Sequence, residues 1–178
     1  GDFELYLSAY SESLAYLQPD NYLISPKSDR IMIIECIDLS SDVDSGSSAT
    51  ITGRSLESIL DRRIVWNQTR IQGNLQNGIQ GLLNDAIISP TDPNRKISNF
   101  SFQASNDPAV TGLNVDAQFT GDELLGAISD LCSAASIGFR ITMPTVGQFL
   151  FELYAGANRS YTQNTNPFVV FSNKFDNL

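Results

Sequence analysis

Acids carry most of the chemistry this chain could perform. It holds 20 Asp and Glu against 11 Lys and Arg and no His, which removes Ser-His and Cys-His dyads, His-based zinc sets and the commonest general base. Asp42-Val-Asp44-Ser-Gly46 has the opening of a calcium loop. Gly46, however, stands where an EF-hand needs a further oxygen ligand, and no Glu follows at the required distance, so a solvated hairpin turn is expected. Thr120-Gly-Asp-Glu123 sets two acids side by side, and Glu57 and Asp61 are spaced for one helix face. The first reads as a capping box whose acids complement a helix dipole. The second reads as a solvated face ion-paired to Arg54 and Arg62. Asp116 and Glu152 are the acids left for a hydrolase.

The net charge of -9 opposes a polyanion-binding role, which needs a basic surface; no sequence-specific nucleic-acid partner is expected. Cys36 and Cys132 fall in separate apolar segments without CxxC spacing, and both are expected as buried, reduced thiols. No metal or cofactor is called for. No run approaches the ~20 apolar residues of a membrane helix, so no membrane partner is expected. The sequons at Asn67, Asn99 and Asn158 carry no weight without evidence of secretion. Tyr154, Arg159 and Tyr161 are candidate glycan contacts, since aromatic and guanidinium faces stack on sugars.

The elements that must position these groups are read from periodicity. Residues 3–7 alternate as a strand, and residues 10–19 give a short helix stopped by Pro19. Strands at 21–26 and 30–40 flank a polar turn, and residues 30–53 read as an antiparallel hairpin. Leu56, Ile59, Leu60 and Ile64 then share a helix face, with Ser55 as N-cap, Arg62 and Arg63 in the last turn, and Trp66 anchoring the exit against the sheet. A second helix spans 74–88. Strands follow at 97–103 and 113–119, then a helix with Leu124, Ile128, Leu131 and Ala135 on one face, closed by Gly138. Strands at 138–143, 148–156 and 168–172 complete the chain around a polar loop at 156–167. Strands at both ends with helices between them favour α+β with antiparallel pairing over a βαβ sheet.

Four segments in order, "DVDSGSSATITGRSLESILDRRIVW", "IISPTDPNRKI", "ELLGAISDLCSAASIGFRI" and "FELYAGANRSYTQNTNPFVVFSNKFDNL", resemble siphovirus tail proteins of ReqiPepy type. That family is related to the baseplate hub and late-control proteins of contractile phages. The resemblance implies a structural, non-enzymatic component of a phage or prophage tail hub. It would be made in the bacterial host cytoplasm and placed in the virion tail tip or baseplate. Its partners would be itself, as a homotrimeric ring joining tail tube to tail tip, and other tail proteins. The expected fold is α+β: an antiparallel tube-type β-barrel or strongly curved sheet from residues 1–66 and 136–178, with about three packed helices. Residues 1–178 are expected as a single tail-hub domain cut from a longer protein, with 68–135 as a candidate inserted α/β lobe. Arg54, Arg62, Arg63 and Trp66 are the candidate structural or inter-subunit contacts. The alternative is a carbohydrate-binding module at the tail tip using Tyr154, Arg159 and Tyr161.

Overall fold

The computed structural model describes residues 1–25, 28, 30–42 and 46–170. Its largest unit is a curled, half-barrel antiparallel sheet of four strands in the order β1-β4-β3-β2, formed by β1 (Asp2–Ser8), β2 (Tyr22–Ile24), β3 (Ile31–Asp42) and β4 (Gly46–Ser55). The expected hairpin is the β3–β4 pair. The centre of the calcium-like stretch and the connection from residue 26 to 29 lie outside, or mostly outside, the described residues. Residues 12–15 form a single 3-10 turn in place of the expected longer helix.

Alternation gives this sheet two unlike faces. One carries Phe3, Leu5 and Leu7 of β1, Ala49 and Ile51 of β4, and Ile34 and Ile37 of β3, covered by Leu14 and Leu17. The other carries Glu4, Tyr6 and Ser8 opposite Thr52, Thr50 and Ser48, which in turn face Cys36, Asp38 and Ser40. A bulge separates the faces' bookkeeping: Ile34 pairs with Gly53 and Cys36 with Thr52, so Glu35 is an extra residue without a partner in β4. That insertion reverses the side to which all following β3 residues point. Cys36, expected to be buried, is therefore exposed, whereas Cys132 is buried as expected.

Ser55 ends β4 and leads into a 3-10 helix, Leu56–Arg62, where an α-helix was expected. Leu56, Ile59 and Leu60 are buried as the periodicity required, but an i, i+3 pattern serves the tighter helix equally well. Ser55 makes no capping bond within it. Beyond it the chain is extended, and residues 63–65 pair with 121–124: Val65 N–H donates to Asp122 O at 2.8 Å, and Leu124 N–H to Arg63 O at 2.9 Å.

The body that follows holds a two-stranded sheet of β5 (Thr69–Asn74) and β7 (Asn114–Phe119), and a three-stranded sheet in the order β6-β9-β8. These last strands are β6 (Phe100–Gln103), β8 (Ile137–Thr145) and β9 (Gln148–Ala155). β6 runs parallel to β9, the one departure from antiparallel pairing among the described residues. Helix α1 (Leu75–Leu83) is capped by the Asn74 side chain, which accepts from Asn77 N–H, and a π-turn, Asn84–Ile88, prolongs it. α2 (Pro108–Thr111) is a single turn. α3 (Leu124–Ala134) buries Leu124, Ala127, Ile128, Leu131 and Cys132.

The capping box does not form at α3. Asp122 accepts from Thr120 N–H at 2.8 Å, and the first helical N–H group is taken by Arg63 O. The helix ends at Ala134, where Ser136 takes the left-handed conformation with φ 55°. Gly138, expected as the terminator, lies in β8 instead; a Cβ there would come within 2.4 Å of the Tyr154 ring. Phe168–Val170, expected as the start of a strand, is irregular, and the rest of that run lies outside the described residues.

Candidate assembly surfaces

The segment that joins the four-stranded sheet to the body concentrates arginine. Arg54, at the end of β4, places its guanidinium in a fork on Glu35, with Nε and Nη2 at 2.9 Å from the two carboxylate oxygens, and holds Asp61 through Nη1. The bulge makes this possible, because the extra residue it inserts is Glu35 itself. The bond to Glu35 is the leading cause that raises the Arg54 pKa above its ordinary value. Of the expected pairings Arg54 reaches Asp61 alone: Glu57 accepts from Ile141 N–H at 3.2 Å, and Arg62 pairs with Asp20 at 2.8 Å. Arg54 thus ties β3 and β4 to the 3-10 helix.

Arg62 closes that helix as expected, and Arg63 follows it in extended conformation. Arg63 donates to Arg95 O at 2.9 Å and Arg62 O at 2.8 Å, while Arg95 donates to Ile64 O at 2.9 Å. Burial, then the nearby charges of Arg95 and Arg62, push the Arg63 guanidinium below its ordinary pKa. Together with Trp66 these arginines line a cleft of about 990 Å³, closed on the far side by Leu82, Asp85 and Ala86 from the end of α1. Trp66 does not anchor the exit against a sheet. It is 70% exposed, and Val65, at 6%, is the buried residue of that pair. The antiparallel bridge to residues 121–124 fixes Val65 inward, so alternation turns the indole outward.

Arg95 was invisible in the sequence, where it sits in a Pro-rich breaker, and nothing in the local pattern marks it as a partner of Arg63. Nor does any local signal mark Glu35 as the partner of Arg54.

A second cleft, of about 670 Å³, lies between Arg54, Ser58, Phe139, Arg140 and Tyr154. Arg140 pairs with Glu152 at 2.9 Å and sits 5.9 Å from the Tyr154 ring centroid. Arg159 and Tyr161 line neither cleft; Arg159 donates to Pro167 O at 3.3 Å, and Tyr161 is 82% exposed. Of the three candidate glycan contacts only Tyr154 is at a cleft. The acids weighed for hydrolysis are both engaged: Glu152 by Arg140, and Asp116 by an Arg70 fork that lowers its pKa. Among the described residues no cluster of three or more Cys, Asp or Glu could hold a metal ion, and no helix is long and apolar enough to cross a membrane.

The family described as Siphovirus ReqiPepy6 Gp37-like protein matches this chain over residues 1–178. The chain belongs to that family. A member of this siphovirus tail-protein family, it shares its fold with a solved tail protein. The prophage tail protein gp18 from Listeria monocytogenes EGD-e superposes with a TM-score of 0.50 at 14% identity, over 85% of this chain and 40% of that one. The tail protein from Neisseria meningitidis MC58 gives 0.49 at 13% identity, over 92% of this chain and 43% of that one. An E. coli protein, c3393, described as a type VI secretion component with similarity to T4 tail proteins gp27 and gp5, gives 0.48 at 15% identity, covering 86% of this chain and 41% of that one. The Gp37-like chain therefore spans well under half the length of these structures. No curated protein matches it.

Proposed function

We propose that this Gp37-like chain is a wall element of a tail hub: copies of it, three in the assembled protein, close into a ring that joins the tail tube to the tail tip. The observation that carries this reading is the pair of open edges on the curled sheet. Among the described residues β1 is hydrogen-bonded only to β4, and the far half of β3, residues 35–41, only to β4, because β2 covers no more than Ile31–Ile33. Unpaired edges invite strands from other chains. An edge on each flank is the arrangement for head-to-tail contacts, which close into rings when the rotation permits. β1 and β3 are both antiparallel to β4 and so run in the same direction. A junction between them around a ring axis would be a parallel pair.

The polar face of the same sheet supports a lumen. From Asp2 to Ser8 and Cys36 to Ser40 it presents Ser, Thr, Tyr, Cys36, Asp2, Glu4 and Asp38, and the arginine at its end, Arg54, is held by Glu35 and Asp61. A surface past which DNA must slide needs to repel phosphate, or at least not bind it. Electron microscopy of the full-length protein should show closed rings with a central channel; a protein that stays monomeric at every concentration tried would overturn the reading.

A further inference from the structure

The cleft beside Arg63 has the chemistry of a receptor for acidic protein surface. In a chain of net charge -9, Arg62, Arg63 and Arg95 converge on one cleft. Arg54, Arg62, Arg70 and Arg140 each hold a carboxylate. Arg63 and Arg95 do not: among the described residues both donate to backbone carbonyls alone. Among the described residues none of the lining acids pairs with either: Asp61 is held by Arg54, and Asp92 accepts from the neutral Asn94. Asp85 is the lining carboxylate that engages no partner among the described residues. Trp66 stands in the same cleft with 70% of its surface open. An exposed indole beside arginines that hold no carboxylate and keep unused N–H groups is the composition of an interface anchor.

We propose that this cleft receives an acidic segment of a second copy of the chain. The inference deepens the ring reading, on which the choice of a second copy rests. Two observations argue for that occupant. The first is charge: a protein this acidic repels its own copies, and Arg63 and Arg95, which hold no carboxylate of their own, are where the acids of a second copy are attracted instead. The second is position. The Arg62–Asp20 pair ties the cleft to the segment entering β2, on the flank of the sheet opposite β1. β1 carries Asp2 and Glu4, both exposed. A head-to-tail arrangement sets the β1 flank of one copy against the β2 flank of the next, and so brings acid to arginine.

The test is photo-crosslinking in the full-length protein with Trp66→benzoylphenylalanine, paired with sedimentation of Trp66→Ala and Arg95→Ala as salt is raised. Trp66 is exposed, so Trp66→Ala should melt like the parent while weakening association about tenfold or more. Arg95→Ala should flatten the salt dependence. The crosslink should join two copies, through a peptide containing Asp2 or Glu4 if the β1 flank is the occupant. Rings that assemble unchanged in both alanine variants would overturn the cleft proposal and leave the ring intact. A crosslink to a different tail protein, or to nothing, would overturn it as well. Absence of rings alongside a copy-to-copy crosslink would instead remove the ring reading and keep the cleft.

Discussion

The two hydrophobic cores of the molecule are unequal. The body's core runs from Ile33 through Leu60, Ile79, Leu83 and Ile128 to Phe151, drawing on both smaller sheets and on helices α1 and α3. That of the four-stranded sheet has Leu17, Ile34 and Ile51 as its buried members, with Phe3, Leu5, Leu7 and Ile37 half covered, while Leu39 at the far end is 69% exposed. The body is a finished globule. The sheet is a surface with one covered end, and its open edges and exposed apolar residues call for neighbours. The larger closed core and the open strand edges thus lie in different regions, with the Arg54 fork at the seam.

Four changes sharpen or break this division. Phe151→Ala in the body, where the ring is stacked between Phe102 and Phe139, should cost about 3–5 kcal/mol by thermal or denaturant unfolding. Ile51→Ala should cost about 2 kcal/mol, with hydrogen-exchange protection lost in β1–β4 and kept in α1, α3 and β9. Equal loss throughout would mean that the cores unfold as one.

The thiols give a third contrast. Burial pushes the Cys132 pKa from 9.0 up to about 12, so the folded state keeps a proton that the unfolded chain releases. Its contribution is fully present below pH 9.0 and is lost as pH rises toward about 12, the loss being on the order of 1 kcal/mol by pH 10. Cys132→Ala should flatten that alkaline decline, and disulfide reagents should label exposed Cys36 at once but Cys132 only on unfolding. Smallest is Arg54→Ala. It strands Glu35 and Asp61, but the side chain is 42% exposed and solvent screens the fork, leaving about 1 kcal/mol, reduced further by salt.

Periodicity made much of this fold legible. The β1 alternation, the β3–β4 hairpin, the α1 stripe and the α3 stripe are all patterns in which burial and chain geometry agree. β5 escaped notice because "TRIQGN" has one fully buried apolar residue, Ile71, and a strand with so little to hide leaves no pattern. The 3-10 helix passes for α in the sequence because the i, i+3 spacing of Leu56 and Ile59 fits one turn of either. Cys36 was misplaced because a bulge changes parity without changing composition. At the assembly surfaces Arg54, Arg62 and Arg63 stood out by type, yet Glu35, Asp20 and Arg95 are brought to them by long-range folding alone. The outward turn of Trp66 followed from a bridge to a segment far along the chain.

Adjacent residues of β3 belong to different cores: Ile33 to the body and Ile34 to the sheet. A pull on the sheet directed along β3 would therefore reach the globule through the peptide unit between two oppositely packed side chains, alongside the Arg54 fork and the Arg62–Asp20 pair. In the proposed ring that strand would be a mechanical rivet between the part that would meet its neighbours and the part that holds itself together.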